Sequence, residues 1–304
     1  MSRVLNPMSN TVELKSIPST LSFYRRALTA RKSGRVPGEE SELGRVLLRG
    51  RRVDVAALRT YREVCGFRTG DGLPVTYPFV LAAPLHMELL VSDAFPLPVM
   101  GLVHVRNSIT RHRAIGSAET LDIDCILTGP CPSARGLEFD LHTRVSAGRE
   151  LVWEGVTTML RRGRGSRVGR KSGAGRRPSE FTPDSVIDWH IPANTGRRYA
   201  RVSGDSNPIH LSALTAKPFG FRRAIAHGMW TKARSLAELE CLLPDGPFRV
   251  SVDFKLPILL PGDVQFQYRR EGDDIDFFVR GSAGRKPHLS GSLAPLREQA
   301  DTTM

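Results

Sequence analysis

The stretch that decides the fold is residues 199–230, YARVSGDSNPIHLSALTAKPFGFRRAIAHGMW. In its densest part, Asp205, Asn207 and His210 fall within six residues, beside the chain breakers Gly204 and Pro208. Gly204 permits backbone angles that a Cβ would forbid, and Pro208 fixes its own φ. We therefore predict a shaped polar turn, neither helix nor strand, whose side chains form a site.

The chemistry that this turn predicts is proton transfer. A carboxylate and an imidazole can hold one water between them and exchange protons near neutral pH, and that arrangement suits hydration. Further on, apolar residues recur three or four apart from Met229 to Leu243, which predicts a helix beginning near Gly228. The free N–H groups of such an N-terminus are suited to hold a carbonyl oxygen that becomes negative during a reaction.

The pattern Y-x-x-x-S-G-D-x-N-P-I-H, followed at this distance by A-H-G-M, resembles the hydratase-2 motif of the MaoC-like (R)-specific enoyl thioester hydratases. The resemblance implies a hotdog fold, in which an antiparallel sheet wraps a long helix. It also implies Asp205 and His210 as the catalytic acid/base pair, and the Gly228 N–H as the oxyanion donor. The structural alternative is that Asp205 caps a turn and His210 is a hydrogen-bonded structural histidine. Supporting positions of the motif are Ser203, Gly204 and Asn207.

Composition excludes several protein classes. The chain has 304 residues, 40% of them hydrophobic and 25% charged, which excludes wholesale disorder and leaves room for two hotdog units. We find no apolar run long enough for a membrane span and no secretory signal. The cysteines contain no Cys-x-x-Cys pair, which predicts reduced thiols and a cytoplasmic protein. They are Cys65, Cys125, Cys131 and Cys241. No His/Cys/carboxylate cluster is evident in the sequence, so we expect neither a metal nor a cofactor.

The net charge of +13 is concentrated in residues 161–178, which hold eight Lys/Arg and no acid. This composition predicts a solvated, flexible linker. A second basic stretch, residues 25–52, is partly offset by glutamates. Nucleic-acid binding is the functional alternative, but no aromatic residues interleave in the linker and no binding-module motif is present. The charges also suit anionic acyl carriers, either coenzyme A or an acyl carrier protein.

The order of elements predicts a duplicated unit, a double hotdog of the α+β class. Both halves show helical segments followed by four strand patterns, which in the first half are residues 101–109, 120–127, 137–147 and 150–160. Before them in the first half, residues 46–53 form a strand pattern, and residues 55–65 form a helix pattern with Asp54 as its N-cap and Gly66 just after its end. Thr143-Arg-Val-Ser-Ala-Gly-Arg149 is similar to Val279-Arg-Gly-Ser-Ala-Gly-Arg285, and we expect each at the turn between the last two strands of its half. Pro84-Leu-His-Met87 is expected to lie where Ala226-His-Gly-Met229 does in the other half. The predicted division is a basic N-terminal extension (1–44), a first unit (45–162), a linker (163–180), a catalytic second unit (181–296) and a tail (297–304).

The first unit lacks the catalytic pattern. Its equivalent region, residues 68–78, reads RTGDGLPVTYP, and Asp71 has no histidine partner there. We therefore expect one active site per chain, with the first unit lining the acyl tunnel. On an apolar helix His86 is predicted to be a core histidine, and neither His104 nor His112 has a partner at an indicative spacing.

The function predicted from the sequence is reversible hydration of trans-2-enoyl thioesters to (R)-3-hydroxyacyl thioesters, or the reverse dehydration, in fatty acid metabolism. The stereochemistry comes from the resemblance. The alternatives are a thioesterase on the same fold, a non-catalytic acyl-thioester-binding protein or dehydratase partner subunit, and a nucleic-acid-binding protein. Acyl length, the carrier and the physiological direction stay open, as does the choice between a monomeric pseudo-dimer and a homodimer.

Overall fold

The structure is a computed structural model that describes residues 3–5, 11–29, 32–35, 38–39, 41–163 and 182–297. Except for residues 163 and 297, the predicted linker (163–180) and tail (297–304) lie outside the described residues. Among the helices that are described, none is both long and apolar enough to cross a membrane.

The first half of the chain contains seven described strands and three helices. Its elements are β1 Arg3–Leu5, β2 Thr11–Leu14, α1 Thr20–Thr29, β3 Glu42–Arg51, α2 Val55–Cys65, α3 Tyr77–Val91, β4 Leu102–Arg111, β5 Leu121–Ser133, β6 Gly136–Ala147 and β7 Glu150–Arg162. Of the helices, α1 lies between β2 and β3, and the consecutive α2 and α3 lie between β3 and β4.

The second half repeats this order with shorter helices. Its elements are β8 Ser185–Ile191, α4 Thr195–Ser203, α5 Ala213–Ala216, α6 Gly228–Glu238, β9 Phe248–Phe254, β10 Gly262–Glu271, β11 Asp274–Gly281 and β12 Pro287–Pro295, with 3₁₀ turns at Pro208–His210, Lys217–Phe219 and Glu240–Leu242.

Local sequence explains the ends of α2. The Asp54 carboxylate accepts hydrogen bonds from the N–H groups of Ala56 and Ala57, at 2.9 and 3.1 Å, which are among those that have no intrahelical partner. Gly66 follows the helix in the left-handed conformation, with φ of 83°, and its N–H donates to the Arg62 carbonyl. Both caps confirm what the sequence predicts for this helix.

The strands form one twelve-stranded sheet in the described part of the chain, in the order β1-β2-β3-β5-β6-β7-β4-β9-β12-β11-β10-β8. Counted inward from β3 and from β8, each half has the same strand order, and β4 meets β9 in the middle. The two are antiparallel, and the Ser108 and Ser251 hydroxyls hydrogen-bond across them at 2.9 Å. Only β2 and β3 pair in parallel among the described strands. The sequence-based prediction of a double hotdog is confirmed.

Residues 1–44, predicted as an extension, contribute to this architecture. β1 and β2 lengthen the sheet at its outer edge, and α1 contacts α3 through an Arg26–Glu88 ion pair at 2.5 Å. β3 begins at Glu42, four residues before the strand pattern read from the sequence at Val46. The parallel pairing of β2 with β3 joins residues more than thirty positions apart, so local periodicity could not predict it.

The helices pack so that the two halves share a core. α3 is apolar on all sides and packs against β3, β5 and β6 of its own half. α2 contacts α4 and α6 of the other half, and the Trp230 indole N–H donates to the Val64 carbonyl at 3.0 Å. The buried apolar side chains therefore form one cluster that extends through both halves.

One of the two repeat correspondences holds in position. The repeated heptapeptides lie at the β6–β7 and β11–β12 turns, as predicted. The tetrapeptides do not correspond, because Pro84 to Met87 lies in the middle of α3 whereas Ala226 to Met229 spans the start of α6. The expectation that they occupy equivalent places was wrong.

A correspondence that the sequence reading missed joins α2 to α4. Each helix ends at a glycine in the left-handed conformation, Gly66 with φ of 83° and Gly204 with φ of 75°. A tyrosine precedes each glycine by five residues, Tyr61 in the first unit and Tyr199 in the second. The residue after the glycine is Asp205 in the second unit and a phenylalanine in the first. The motif is therefore duplicated, and its carboxylate is present in only one copy.

Candidate active site

The motif turn begins where α4 ends. The Ser203 hydroxyl donates to the Tyr199 carbonyl at 2.8 Å and accepts from the Asp205 N–H at 3.2 Å. Gly204 adopts the left-handed conformation that turns the chain away from the helix axis. Ser203 and Gly204 thus fix where the next residue, Asp205, leaves the helix.

Two successive side chains then hold the turn by bonding to its backbone. The Asp205 Oδ1 accepts from the Asn207 N–H at 3.2 Å, and the Asn207 Oδ1 accepts from the Ile209 N–H at 3.3 Å. The Asn207 side chain therefore supports the backbone of the turn. Asp205 caps the turn as the structural alternative requires, yet its side chain remains 50% exposed. Its carboxylate is available to a second partner.

His210 is buried at the end of the 3₁₀ turn. Its Nδ1 lies 2.8 Å from the Ile225 carbonyl oxygen, an acceptor, so the Nδ1 carries the proton and donates it. The neutral ring then has its lone pair on Nε2. Burial lowers the pKa of His210, although the nearby Asp205 carboxylate and the Ile225 carbonyl act in the opposite direction. The imidazole is therefore neutral at pH 7.

His227 is a member of the site that sequence reasoning missed. Its ring stacks on the His210 ring with 3.6 Å between centroids, and its Nε2–H donates to the Asp205 backbone carbonyl at 2.9 Å. The side chain is buried, with its Nδ1 unpartnered among the described residues, and burial lowers its pKa to about 3. The signal was present in the sequence, since His227 directly precedes Gly228 in the A-H-G-M segment.

Asp205, His210 and His227 lie together, with side-chain ligand atoms all within 4.8 Å of one another. The sequence predicted no cluster of His, Cys and carboxylate side chains. That prediction was wrong, because these three side chains lie close together in the structure. The nitrogen lone pairs of an imidazole lie in the plane of its ring. Because the His210 and His227 rings are stacked with 25° between their planes, their lone pairs do not point toward one common metal position. A tetrahedral zinc site needs convergent donors, which this arrangement does not provide.

The electrostatics of the cluster favour an ionised Asp205. Burial raises the pKa of the Asp205 carboxyl, but attraction to His227 and then His210, with the Asn207 N–H, lowers it further below its ordinary value. The cluster thus combines a carboxylate with two neutral imidazoles at pH 7. This combination can orient a water molecule and accept its proton.

Comparison with known proteins identifies the family of this chain. Residues 176–288 match the family described as MaoC like domain. The chain is 38% identical over 245 residues to 3-hydroxyacyl-thioester dehydratase X of Mycobacterium tuberculosis, covering 80% of this chain and 86% of that protein. The chain belongs to the MaoC-like dehydratase family.

Solved structures of MaoC-like proteins have the same architecture. The crystal structure of HtdX from Mycobacterium tuberculosis superposes with a TM-score of 0.72 at 34% identity, covering 83% of this chain and all of that one. A MaoC-like dehydratase from Phytophthora capsici shares the fold at 17% identity, with a TM-score of 0.67 and 85% and 97% of the two chains covered.

The N-terminus of α6 lies beside the cluster of Asp205, His210 and His227. Gly228 is the first residue of α6 and directly follows His227, so its N–H belongs to the helix end that lacks intrahelical acceptors. A Cβ at this position would lie 3.0 to 3.2 Å from three carbon atoms of the Phe254 ring. Glycine therefore lets the ring close over the helix end.

The first unit contributes side chains to this region. His104 of β4 packs edge-on against Phe254 at 4.8 Å and stacks on Phe79 of α3 at 6.1 Å. Burial lowers its pKa to about 4, and it lies close enough to Asp205 for the two to interact electrostatically. No partner of His104 could be identified from residue spacing, because its contacts come from both halves of the chain.

The remaining candidate residues lie elsewhere. His86 is buried on α3 and hydrogen-bonds to the Thr143 hydroxyl at 2.7 Å, and burial lowers its pKa to about 3. This is the environment of a core histidine, as predicted. His112 pairs with Glu154 at 3.0 Å, and Asp71 is exposed. None of the three belongs to the cluster around Asp205.

Proposed function

We propose that this chain catalyses the reversible addition of water to trans-2-enoyl thioesters, giving (R)-3-hydroxyacyl thioesters, in fatty acid metabolism. The observation that supports the proposal is the proximity of Asp205 and His210 beside the N-terminus of α6. Side-chain ligand atoms of these two residues and of His227 all lie within 4.8 Å of one another. Activation of a water requires an ionised carboxylate next to a neutral imidazole, and the half-exposed Asp205 side chain leaves the pair open to solvent.

In the proposed mechanism, the water lies between the Asp205 carboxylate and Nε2 of His210. Nε2 accepts a proton because Nδ1 already carries one, held by the Ile225 carbonyl. The hydroxide attacks C3, and the imidazolium that forms beside the Asp205 carboxylate returns a proton to C2 on the same face. Water is thereby added without net change in the protein, and the reverse sequence gives dehydration.

The N–H of Gly228 is the proposed donor to the thioester oxygen, on which negative charge develops as C3 is attacked. A backbone donor at a helix N-terminus needs no reorganisation during the reaction, and one such donor contributes roughly 10²- to 10³-fold in rate. Packing of Phe254 against Gly228 supports this role, because it restricts water at the same helix end.

The test is hydration of crotonyl-coenzyme A, followed by the loss of absorbance of the conjugated thioester, with product chirality determined. Asp205→Asn and His210→Ala should fold as the wild type does and lose at least about 10²-fold in kcat. The matched controls are Asp263→Asn and His190→Ala, which alter an exposed Asp–His pair at 2.7 Å between β8 and β10. Wild-type turnover in either motif variant would refute the assignment.

Three finer proposals accompany this function. The substrate is carried on coenzyme A or on an acyl carrier protein, and the enzyme acts in the cytoplasm, where its four free cysteines stay reduced. One chain consists of two units, residues 45–162 and 181–296, and holds one active site. This pseudo-dimer is either a monomer in solution or forms a homodimer.

A further inference from the structure

Residues 189–237 carry an unusual charge balance. This stretch of 49 residues contains eight Lys/Arg, and its only acid is Asp205. Lys232 is fully buried and Arg234 pairs with Glu238, so neither contributes to the exposed surface. The exposed cations are Arg197, Arg198, Arg201, Lys217, Arg222 and Arg223.

These cations lie on the two segments that flank the motif turn along the chain. Three lie on the exposed face of α4, at spacings of one and four residues. The others lie in residues 211–223, a loop whose base is closed by the Ile225 N–H donating to the Ile209 carbonyl at 3.0 Å. That base adjoins His210 and His227, so the loop projects from the active site itself.

The loop is specific to the catalytic unit. In the first unit eleven residues, 66–76, connect α2 to α3, whereas twenty-four residues, 204–227, connect α4 to α6 in the second unit. A segment present only beside the functional copy of the motif is expected to serve that copy.

Most of the six cations have no partner within the described chain. Arg197 donates to the Leu211 carbonyl and Arg223 to the Pro261 carbonyl, both at 2.9 Å, and these bonds fasten the loop to its neighbours. The other four side chains form no hydrogen bond or ion pair with a described residue: Arg198, Arg201, Lys217 and Arg222. Like charges gathered without counterions create a positive potential that attracts an anionic partner.

The loop that carries Lys217, Arg222 and Arg223 also has exposed apolar side chains. Leu214 is 79% exposed and Phe219 40% exposed, both in the same loop. Apolar side chains surrounded by cations match the anatomy of a protein interface, with an apolar centre and a charged rim. We call α4 and residues 211–223 together the carrier face.

We propose that the carrier face docks an acidic acyl carrier protein, which delivers the acyl chain into the site on its phosphopantetheine arm. This inference rests on the proposed function and names the carrier. The cations are spread over two elements, and two of them are already engaged with carbonyls, whereas a nucleotide phosphate is bound by donors that converge on one point. A broad acidic protein surface with apolar patches is complementary to both the charges and the exposed Leu214 and Phe219.

The test compares three crotonyl thioesters that differ only in the carrier: acyl carrier protein, coenzyme A and N-acetylcysteamine, which has no phosphate. The variant is Lys217→Glu/Arg222→Glu. The matched control is Arg135→Glu/Arg149→Glu, which reverses two exposed charges at the β5–β6 and β6–β7 turns. Both variants change the net charge equally.

We expect the ratio of kcat/KM on the carrier-protein substrate to that on the N-acetylcysteamine substrate to fall at least about 10-fold in the carrier-face variant. The control should keep the wild-type ratio. The decrease of this ratio in the carrier-face variant should be smaller at about 0.5 M salt than at about 0.05 M salt, since salt screens interactions between exposed charges. An equal loss on the coenzyme A substrate would overturn the proposal in favour of nucleotide phosphates, and an unaltered ratio would overturn it outright.

A binding measurement separates this proposal from the proposed function. Fluorescence anisotropy of labelled holo acyl carrier protein should give the same affinity for wild type and Asp205→Asn, with weaker binding to Lys217→Glu/Arg222→Glu. Failure of the proposed function would appear as absence of wild-type turnover on all three thioesters. Failure of the docking proposal would appear as equal carrier affinity in the wild type and the carrier-face variant.

Discussion

Replacing Gly196 by alanine tests how the catalytic turn is held. Gly196 is the second residue of α4, and a Cβ there would lie 2.0 Å from the His210 carbonyl oxygen and 3.0 Å from its carbon. Since real Cβ contacts stay above 3.0 Å, α4 and His210 must separate by about 1.0 Å. Asp205 follows the far end of α4, so this separation changes the distance between the two members of the pair.

The expected effects on rate and stability differ in size. A 1 Å misplacement of a catalytic group costs about 10²-fold in rate. Overpacking costs roughly 1–3 kcal/mol of unfolding free energy, and the better helix propensity of alanine returns up to about 1 kcal/mol. Gly196→Ala should therefore remain folded while its kcat/KM falls about 10²-fold.

The assay is crotonyl-coenzyme A hydration combined with urea unfolding. The control is Gly246→Ala, because a Cβ at Gly246 meets no atom within 4 Å and the residue has no positive φ. It should retain both activity and stability. If Gly196→Ala kept wild-type kcat/KM, the idea that α4 sets the position of His210 would be wrong, whatever happened to stability.

Three further predictions concern buried polar groups. His227→Phe keeps a ring in place but removes the donor to the Asp205 carbonyl, so kcat should fall about 10- to 10²-fold. The pKa of Asp205 should rise, because His227 no longer lowers it, and the acid limb of the pH–rate profile should therefore move to higher pH. Urea unfolding should show stability that is constant above about pH 6.5 and lost as pH falls toward 4, by roughly 1.4 kcal/mol per pH unit for each histidine kept neutral by burial. With folded pKa values of about 3, 4 and 3, these are His86, His104 and His227. Lys232→Met should cost about 1–3 kcal/mol in the same assay, because three buried acceptors on β4 and β9 lose their donor.

The strands and the cap of α2 could be predicted because their causes are local. Alternation along β4 and β5 reflects one buried face, and Asp54 and Gly66 act within one helical turn of the ends they cap. α4 gave no comparable signal, since it is nine residues long, starts with Thr195 and Gly196, and carries three arginines. Its helical state depends on packing against α2 and α3.

The same distinction applies to the site. Asp205 and His210 are five residues apart, so one turn brings them together and the motif alone identifies them. His104 reaches the site across the β4–β9 seam, where no spacing in the sequence records it. A lysine in a helix is ordinarily expected at the solvated surface. Lys232 is nevertheless buried, because its side of α6 faces the β4–β9 seam, where its ammonium group donates to the Val250 carbonyl.

The turns that follow α2 and α4 differ in the side chains that proton transfer needs. In the first unit the position after Gly66 is Phe67, which is buried, and Tyr61 hydrogen-bonds to the buried Thr76 at 2.8 Å. The second unit has Asp205 and His210 where the chain follows the equivalent tyrosine and glycine. An aspartate at position 67 alone would be buried without an imidazole to lower its pKa, and would destabilise the fold. Phenylalanine at this position is instead compatible with burial, which accounts for the absence of the carboxylate from the first unit.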